Sequence, residues 1–120
     1  MPIPQKTLSN GFSLPALGFG TWLIGGDTQK IISPQNEIDA CALSHAIEKG
    51  FVHIDTAENY GDGHAEEIIG HTIKKFPREK IILATKASQG HHDAKTLPLS
   101  LDSSLRRLDT DYVDFITCTA

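Results

Sequence analysis

Three residues of this sequence could act together to protonate a carbonyl oxygen. Asp55 ends one apolar run, Lys86 ends the next, and Tyr60 follows Asp55 in a glycine-containing loop. A phenol ordinarily loses its proton near pH 10, and an ammonium group beside it eases that loss because it stabilises the phenolate. A carboxylate would keep the ammonium charged and oriented, so the three residue types could form a general acid. The residues alone leave open a structural Asp–Lys ion pair and a tyrosine packed in a turn.

The elements that must position these residues alternate between two kinds. Four short apolar runs occupy residues 14–20, 51–55, 80–86 and 112–118. Amphipathic segments of helical period separate the last three, at the spacing that a strand and a returning helix need. Strands that alternate with such helices predict a parallel α/β sheet. In such a sheet, reactive groups collect at the carboxyl ends of the strands, where Asp55 and Lys86 lie.

Start and stop signals bound three helices. Capping residues begin a helix, while glycine or proline ends one. The predicted signals are Ser33-Pro34 and Gly50 for the first helix, Ala65 through Pro77 for the second, and Thr96 as the cap of the third, whose apolar stripe is Leu97, Leu101, Leu105 and Leu108.

An Asn10-Gly11 turn predicts a hairpin across residues 7–14, which could plug the bottom of a barrel.

The composition is that of one small globular domain. The 120 residues are 39% hydrophobic and 22% charged. A net charge of −4 argues against a nucleic-acid or anionic-membrane partner, because either would favour a basic face. No run is long enough to span a membrane and none resembles a signal sequence. Two cysteines make no disulfide framework, so we expect a cytoplasmic protein.

Other residue types that often carry chemistry are interpreted as structural. The six histidines show no ligand spacing, so no metal site is expected. His91 and His92 are predicted to be solvated loop residues, and Cys118 a small buried strand residue. Glu66 and Glu67 are predicted to favour the start of their helix through its dipole. No GxGxxG motif opens a helix, so a Rossmann-type dinucleotide site is not expected.

The sequence resembles the aldo-keto reductases from Leu8 to about Phe115. The stretches that carry the resemblance are LPALGFGTW at 14–22, HIDTAENYGDGHAEEIIG at 53–70, ILATK at 82–86 and SLRRLDTDYVDF at 104–115. Within that family the chain is most similar to the bacterial and fungal reductases of small aldehydes. The resemblance implies an α/β fold: the N-terminal half of a TIM (β/α)8 barrel, preceded by a β-hairpin, with four parallel strands and three helices.

The resemblance also implies a reaction, the NADPH-dependent reduction of aldehydes or ketones to alcohols. Hydride would pass from the nicotinamide to the carbonyl carbon while Tyr60 protonates the oxygen. Lys86 would assist the tyrosine, and Asp55 would support Lys86. The small carbonyl compound would be the substrate, and the nicotinamide cofactor would carry the hydride chemistry.

The same resemblance implies which residues would contact the cofactor and which would contact the substrate. Gly20 and Thr21 would run beneath the nicotinamide, and Asp55 would contact its ribose. Trp22 would line one wall of the substrate pocket.

The sequence departs from the family pattern at its end. Thr119 stands where the family has a histidine, and a threonine hydroxyl can donate a hydrogen bond but cannot replace a titratable imidazole. A whole barrel needs about 250 residues, so strands five to eight and their phosphate-binding loops are expected to lie outside residues 1–120. We therefore expect a truncated barrel that is inactive alone and self-associates through its open sheet edges. A non-catalytic fragment, or a regulatory or binding relative, is the alternative.

Overall fold

The computed structural model describes residues 2–119, which form a β-hairpin followed by a parallel sheet with three helices. The hairpin strands are β1 (Gln5–Thr7) and β2 (Ser13–Pro15), the sheet strands are β3 (Phe19–Gly20), β4 (His53–Asp55), β5 (Ile82–Ala87) and β6 (Phe115–Cys118), and the helices are α1 (Gln35–Glu48), α2 (His64–Ile73) and α3 (Thr96–Leu108). The sheet order is β3-β4-β5-β6, with every pair parallel. The predicted four parallel strands, three helices and preceding hairpin are confirmed.

The main core lies between one face of the sheet and all three helices. It consists of Leu43, Ile47, Ile54, Ile69, Ile73, Ile81, Leu83 and Leu108. Ile54 of β4 and Leu83 of β5 are paired in register, so both point toward the helices. Because strand side chains alternate, Asp55 and Lys86 point to the opposite face. The pleat therefore separates the apolar core from the residues that could do chemistry.

The hairpin lies at the amino ends of the sheet strands. Its turn brings the Gly11 amide to the Leu8 carbonyl at 2.9 Å, and Gly11 has a φ of 88°. The Phe12 ring meets the Phe115 ring edge to face, with centroids 5.3 Å apart. Since Phe115 begins β6, the hairpin covers the end of the sheet that is remote from Asp55 and Lys86, as the sequence predicted.

The first apolar run is not one strand. Residues 13–15 pair antiparallel with β1, and only Phe19 and Gly20 join the parallel sheet. The prediction of a single strand over 14–20 was wrong because the hairpin takes the first part of the run. Pro15 lacks an N–H but is accommodated there, opposite Gln5.

The ends of α1 agree with their sequence signals, whereas the start of α3 does not. Ser33 Oγ accepts a hydrogen bond from the Gln35 N–H at 3.2 Å, and Gly50 follows α1 with a φ of 100°. Thr96 does not cap α3, because it is already the first helical residue. Asp93 Oδ1 accepts the N–H groups of residues 95 and 96 instead, each at 2.8 Å.

The leucine stripe of α3 is less buried than predicted. Leu108 is fully buried, while Leu97, Leu101 and Leu105 are half-buried. The other buried positions of the helix are Ser100 and Ser104. These serines can be buried because their hydroxyls have partners on neighbouring side chains, which are described below.

One further prediction, about Cys118, was wrong. Cys118 is exposed, because β6 is an edge strand of the sheet and nothing in residues 2–119 covers it. His91 and His92 are exposed loop residues, as predicted, and their rings also contact Glu58 Oε1 and the Ala87 carbonyl, respectively. No helix in the described part of the chain has both the length and the apolar character that crossing a membrane requires.

Candidate active site

Asp55 and Lys86 form an ion pair at the carboxyl ends of β4 and β5. Lys86 Nζ lies 2.5 Å from Asp55 Oδ2 and donates a second hydrogen bond to the Thr56 carbonyl at 3.0 Å. The lysine side chain is 23% exposed and the aspartate side chain 44% exposed. The ammonium group is therefore fixed by two oxygens from β4 and the residue that follows it, while the site stays open to solvent.

Tyr60 joins this pair through a tight loop. Its ring centroid is 5.4 Å from Lys86 Nζ, so the structure brings together all three residues that the sequence singled out. Gly61 has a φ of 57°, and a Cβ there would come within 2.8 Å of the Gly25 carbonyl oxygen. The glycine is thus required both by its left-handed conformation and by its close approach to the preceding loop, which sets the direction of the Tyr60 segment.

The end of β3 forms the neighbouring side of the site. Gly20 pairs in register with Asp55. Thr21 is fully buried, and its hydroxyl donates to the Asp55 carbonyl at 2.9 Å, so it ties β3 to β4. Trp22 is 64% exposed. Gly20 and Thr21 therefore lie beside Asp55. The cofactor contacts of Gly20 and Thr21 and the substrate contact of Trp22 stay predictions.

A second carboxylate, which the sequence did not single out, lies next to this site. Glu58 has a side chain that is 8% exposed. Its Oε1 accepts hydrogen bonds from the Ser88 N–H at 2.7 Å, from the Ser88 hydroxyl and from His91 Nδ1 at 2.6 Å. Its Oε2 accepts from the Ser100 hydroxyl. One buried carboxylate therefore joins the β4 loop, the end of β5 and α3.

These contacts decide the charge of Glu58. Burial raises the pKa of its carboxyl, but the hydrogen bonds from Ser100, Ser88 and His91 outweigh burial and lower the pKa from its usual 4.5 to about 2. Four donors around one acceptor-only group explain the direction. The sequence carries only a weak signal for this contact. Glu58 follows β4, which ends in Asp55, and Ser88 follows β5, which carries Lys86 near its end.

A third carboxylate, Glu66, is fully buried between α2, β5 and α3. Thr85 Oγ1 donates to its Oε1 at 2.6 Å, and Arg107 Nε donates to its Oε2 at 2.7 Å. Arg107 Nη2 also reaches Ser104 Oγ at 3.3 Å. Glu66 thus holds three elements together, so its interpretation as a residue that favours the helix start through the dipole was incomplete.

The position where the family resemblance predicts a histidine is occupied by a threonine with a backbone partner. Thr119 donates its N–H at 3.0 Å and its hydroxyl at 3.2 Å to the Ala87 carbonyl. The same carbonyl lies 3.0 Å from His92 Nε2. Within residues 2–119, no group of three His, Cys, Asp or Glu side chains is arranged to hold a metal ion.

Comparison with known proteins decides the family. Residues 16–120 match the Aldo/keto reductase family. The chain belongs to that family. It is 40% identical over 106 residues to methylglyoxal reductase YeaE of Escherichia coli K12, and 34% identical over 113 residues to aldo-keto reductase YhdN of Bacillus subtilis 168. These alignments cover 88% and 87% of this chain but only 35% and 34% of the relatives, so the chain spans about a third of their length.

Solved structures of the family have the same fold over this region. The thermostable aldo-keto reductase Tm1743, solved with the inhibitor epalrestat, superposes with a TM-score of 0.90 at 45% identity, covering 95% of this chain and 42% of Tm1743. An aldo-keto reductase from Klebsiella pneumoniae in complex with NADPH superposes with a TM-score of 0.80 at 34% identity, covering 95% and 39%. The fold is therefore the N-terminal half of the family's TIM barrel, preceded by the hairpin.

Proposed function

We propose that this chain forms the proton-donating half of an NADPH-dependent reductase that converts aldehydes or ketones to alcohols. The observation that carries the proposal is the convergence of Tyr60, Lys86 and Asp55 at the carboxyl ends of adjacent strands. In barrels of this type, that face holds the reacting groups.

The roles follow from the geometry of these three side chains. Tyr60 donates the proton that the carbonyl oxygen needs as it becomes an alcohol. Lys86 lies beside the ring and stabilises the negative charge left on the phenol oxygen. Asp55 fixes the ammonium through the 2.5 Å contact, so the charge stays where the phenol can use it.

The residues at the end of β3 fit a nicotinamide. A Cβ added at Gly20 would meet no protein atom within 4 Å, so packing inside the chain does not require glycine there. Glycine does leave the backbone open to a flat ring beside Asp55. A bound nicotinamide would supply the hydride, while Gly20 and the Asp55 carboxylate would hold it and Trp22 would shield the substrate from water. Thr21 would contribute by fixing the Asp55 backbone.

NADPH and a small aldehyde are the proposed reactants because of the proteins that this chain resembles. The Klebsiella structure contains NADPH, and the relatives include a methylglyoxal reductase and an NAD(P)H-dependent D-xylose reductase of Candida tenuis. A cytoplasmic location agrees with reduction by NADPH.

We further propose that residues 1–120 form a single partial barrel with little or no turnover alone. Thr119 supplies no titratable imidazole, and the relatives that this chain matches are about three times as long. The alternative, a non-catalytic fragment or binding relative, rests on the same threonine.

Oxidation of NADPH at 340 nm tests both statements. The isolated chain with methylglyoxal should stay far below the ordinary turnover of about 1–10³ s⁻¹. A chimera that continues residue 119 with the C-terminal two thirds of the Escherichia coli methylglyoxal reductase should oxidise NADPH when methylglyoxal is added. Thr119→His should raise the chimera's rate, because it restores the imidazole.

Tyr60→Phe is the matched variant for the role of the phenol. In the chimera it should abolish reduction and leave NADPH binding nearly unchanged, because it removes one hydroxyl and keeps the ring. Undiminished reduction in this variant would show that Tyr60 is not the proton donor. A well-folded chimera that binds NADPH but never reduces an aldehyde would favour the non-catalytic alternative.

A further inference from the structure

We propose that Glu58 is a positioning residue that holds the Tyr60 loop against the end of β5, so that the phenol stays beside Lys86. The inference deepens the proposed function, since it concerns the placement of the proposed proton donor. Glu58 itself lies two residues before Tyr60, and the hydrogen bonds of its carboxylate go to Ser88, His91 and Ser100 and not to the Asp55–Lys86 pair or Tyr60.

The first support is the pattern of hydrogen bonds between the two segments. The Thr56 N–H donates to the Ala84 carbonyl at 2.9 Å, and the Glu58 N–H donates to the Lys86 carbonyl at 3.0 Å. These bonds continue the parallel ladder of β4 and β5 beyond the last paired residue of β4. The next bond of such a ladder would run from the Ser88 N–H to the Glu58 backbone carbonyl.

The Glu58 side chain makes that next bond in place of the backbone. Ser88 donates its N–H to Glu58 Oε1 at 2.7 Å. The backbone turns away at this point, because the segment Tyr60–Gly63 coils into a tight helical turn. A side-chain carboxylate thus extends the ladder past the turn and joins residues that flank Lys86 to the residues that lead into Tyr60.

The second support is that the carboxylate is anchored from a third element. The Ser100 hydroxyl on α3 donates to Oε2, and His91 on the loop before α3 donates to Oε1. Within the part of the chain that the structure describes, no lysine or arginine forms a salt bridge with Glu58. Directional donors on three segments fix its position more tightly than one mobile cation would, since each bond has its own preferred geometry.

A carboxylate in this arrangement controls geometry at the reacting atoms. If it is lost, the Ser88 N–H and the two serine hydroxyls lose their acceptor together, and the loop loses its link to β5. Displacement of a reacting group by about 1 Å can lower a rate by roughly 100-fold. The consequence should fall on the chemical step and not on NADPH binding, because Glu58 lies on the tyrosine side of the site.

Fluorine NMR of the chain labelled with 3-fluorotyrosine tests the inference without any catalysis. The sequence has two tyrosines, Tyr60 and Tyr112. Tyr112 packs on Arg78, with the guanidinium carbon 3.9 Å from its ring centroid, and it precedes β6 at the opposite end of the sheet. Glu58→Ala should move or broaden the Tyr60 signal alone. Glu58→Gln should restore it, because the amide can accept from Ser88 and donate to Ser100.

The outcomes separate the inference from the proposed function. An unchanged Tyr60 signal in Glu58→Ala would overturn the positioning role. If both signals collapse, Ser100→Ala decides by removing one donor: a change confined to Tyr60 supports the role, and no change overturns it. In the chimera, Glu58→Ala should lower kcat at least 10-fold with little change in KM for NADPH, and Glu58→Gln should recover most of that loss. An inactive parent chimera would count against the proposed function and leave the fluorine result to decide on Glu58.

Discussion

At the scale of single residues, the two buried glutamates differ in how their charge is compensated. Glu66 is paired with the Arg107 guanidinium and receives one hydroxyl. Glu58 is held by neutral donors and one imidazole, at the edge of the candidate site. Removing the partners of a buried carboxylate lowers the free energy of unfolding, whether those partners are charged or neutral. Because these donors lower the pKa of Glu58, the stability of the fold depends on acid through this residue.

This dependence can be predicted with its sign. The folded-state pKa of Glu58, about 2, lies below its usual 4.5. Its ionisation therefore stabilises the fold fully above about pH 4.5, and this contribution is lost as the pH falls toward 2. Glu58→Gln should lower the free energy of unfolding most at pH 7, and the deficit should shrink between pH 4.5 and 2. Urea unfolding at several pH values measures it.

A matched control keeps this measurement specific. Glu79 is exposed and lies in the short turn before β5, so Glu79→Gln should change the free energy of unfolding by less than about 0.5 kcal/mol, with no such trend. A deficit for Glu58→Gln that stays constant from pH 7 to pH 3 would contradict the assignment.

The residues of the candidate site were predictable from sequence to different degrees. Asp55 and Lys86 could be placed together because each ends an apolar run, and parallel strands end at the same edge of a sheet. Glu58 and Glu66 could not, because nothing local distinguishes a buried acid from a solvated one. Their burial depends on donors that lie 19 to 42 residues away in the chain, such as Thr85 and Ser100.

At the scale of elements, α2 is the central helix, and both other helices pack against it. It packs against both α1 and α3, and its approach to α3 is unusually close at Gly70. A Cβ at Gly70 would lie 2.5 Å from the Leu108 carbonyl oxygen and 2.8 Å from that of Arg107. These are backbone atoms that cannot rotate away, so the spacing of the two helices depends on glycine.

Gly70→Ala should therefore destabilise the chain although alanine is the better helix former. The propensity gain is about 1 kcal/mol, whereas overpacking a tight contact costs about 1–3 kcal/mol, and here the helices themselves must move. We expect a lower midpoint in urea unfolding. His71→Ala, at the adjacent exposed position, serves as the control and should be nearly neutral; a Gly70→Ala protein more stable than the parent would show that the helices separate at no cost.

Element boundaries were predicted where the signal is local. The α1 stop at Gly50 depends on one residue's left-handed backbone, and the hairpin on an Asn-Gly turn, so both were read correctly. The start of α3 was misplaced because Asp93 and Thr96 are both good caps, and only the folded backbone selects between them. The run 14–20 was misjudged because its pairing with β1 is not encoded in its own residues.

At the scale of the whole molecule, the sheet has two open edges. β3 and β6 each have a neighbour on one side only. The two outer helices carry large exposed apolar side chains, Ile38 on α1 and Leu99 on α3. Edges with unpaired N–H and C=O groups recruit other strands, and four parallel strands are half of the eight that close a TIM barrel.

We therefore expect the isolated chain to self-associate. The arrangement that satisfies most groups is a twofold dimer in which β6 of each copy pairs with β3 of the other, so that α3 of one packs beside α1 of its partner. Sedimentation velocity at roughly 1 to 100 micromolar, in a reducing buffer, should show a dimer or larger species throughout. A wide range is needed because the fraction of associated chains depends on their concentration.

Charge on the edge strand is the variant that tests this arrangement. Cys118 is exposed on β6, so Cys118→Lys should weaken association by placing a charge on the pairing edge. Ser9→Lys adds the same charge in the exposed hairpin turn, which belongs to neither edge strand, and should leave the sedimentation profile unchanged. A cooperative monomer at every concentration would mean that the edges are tolerated without a partner. If both variants weaken association equally, added positive charge alone would explain the effect. The β6 edge would then not be supported as the contact between copies.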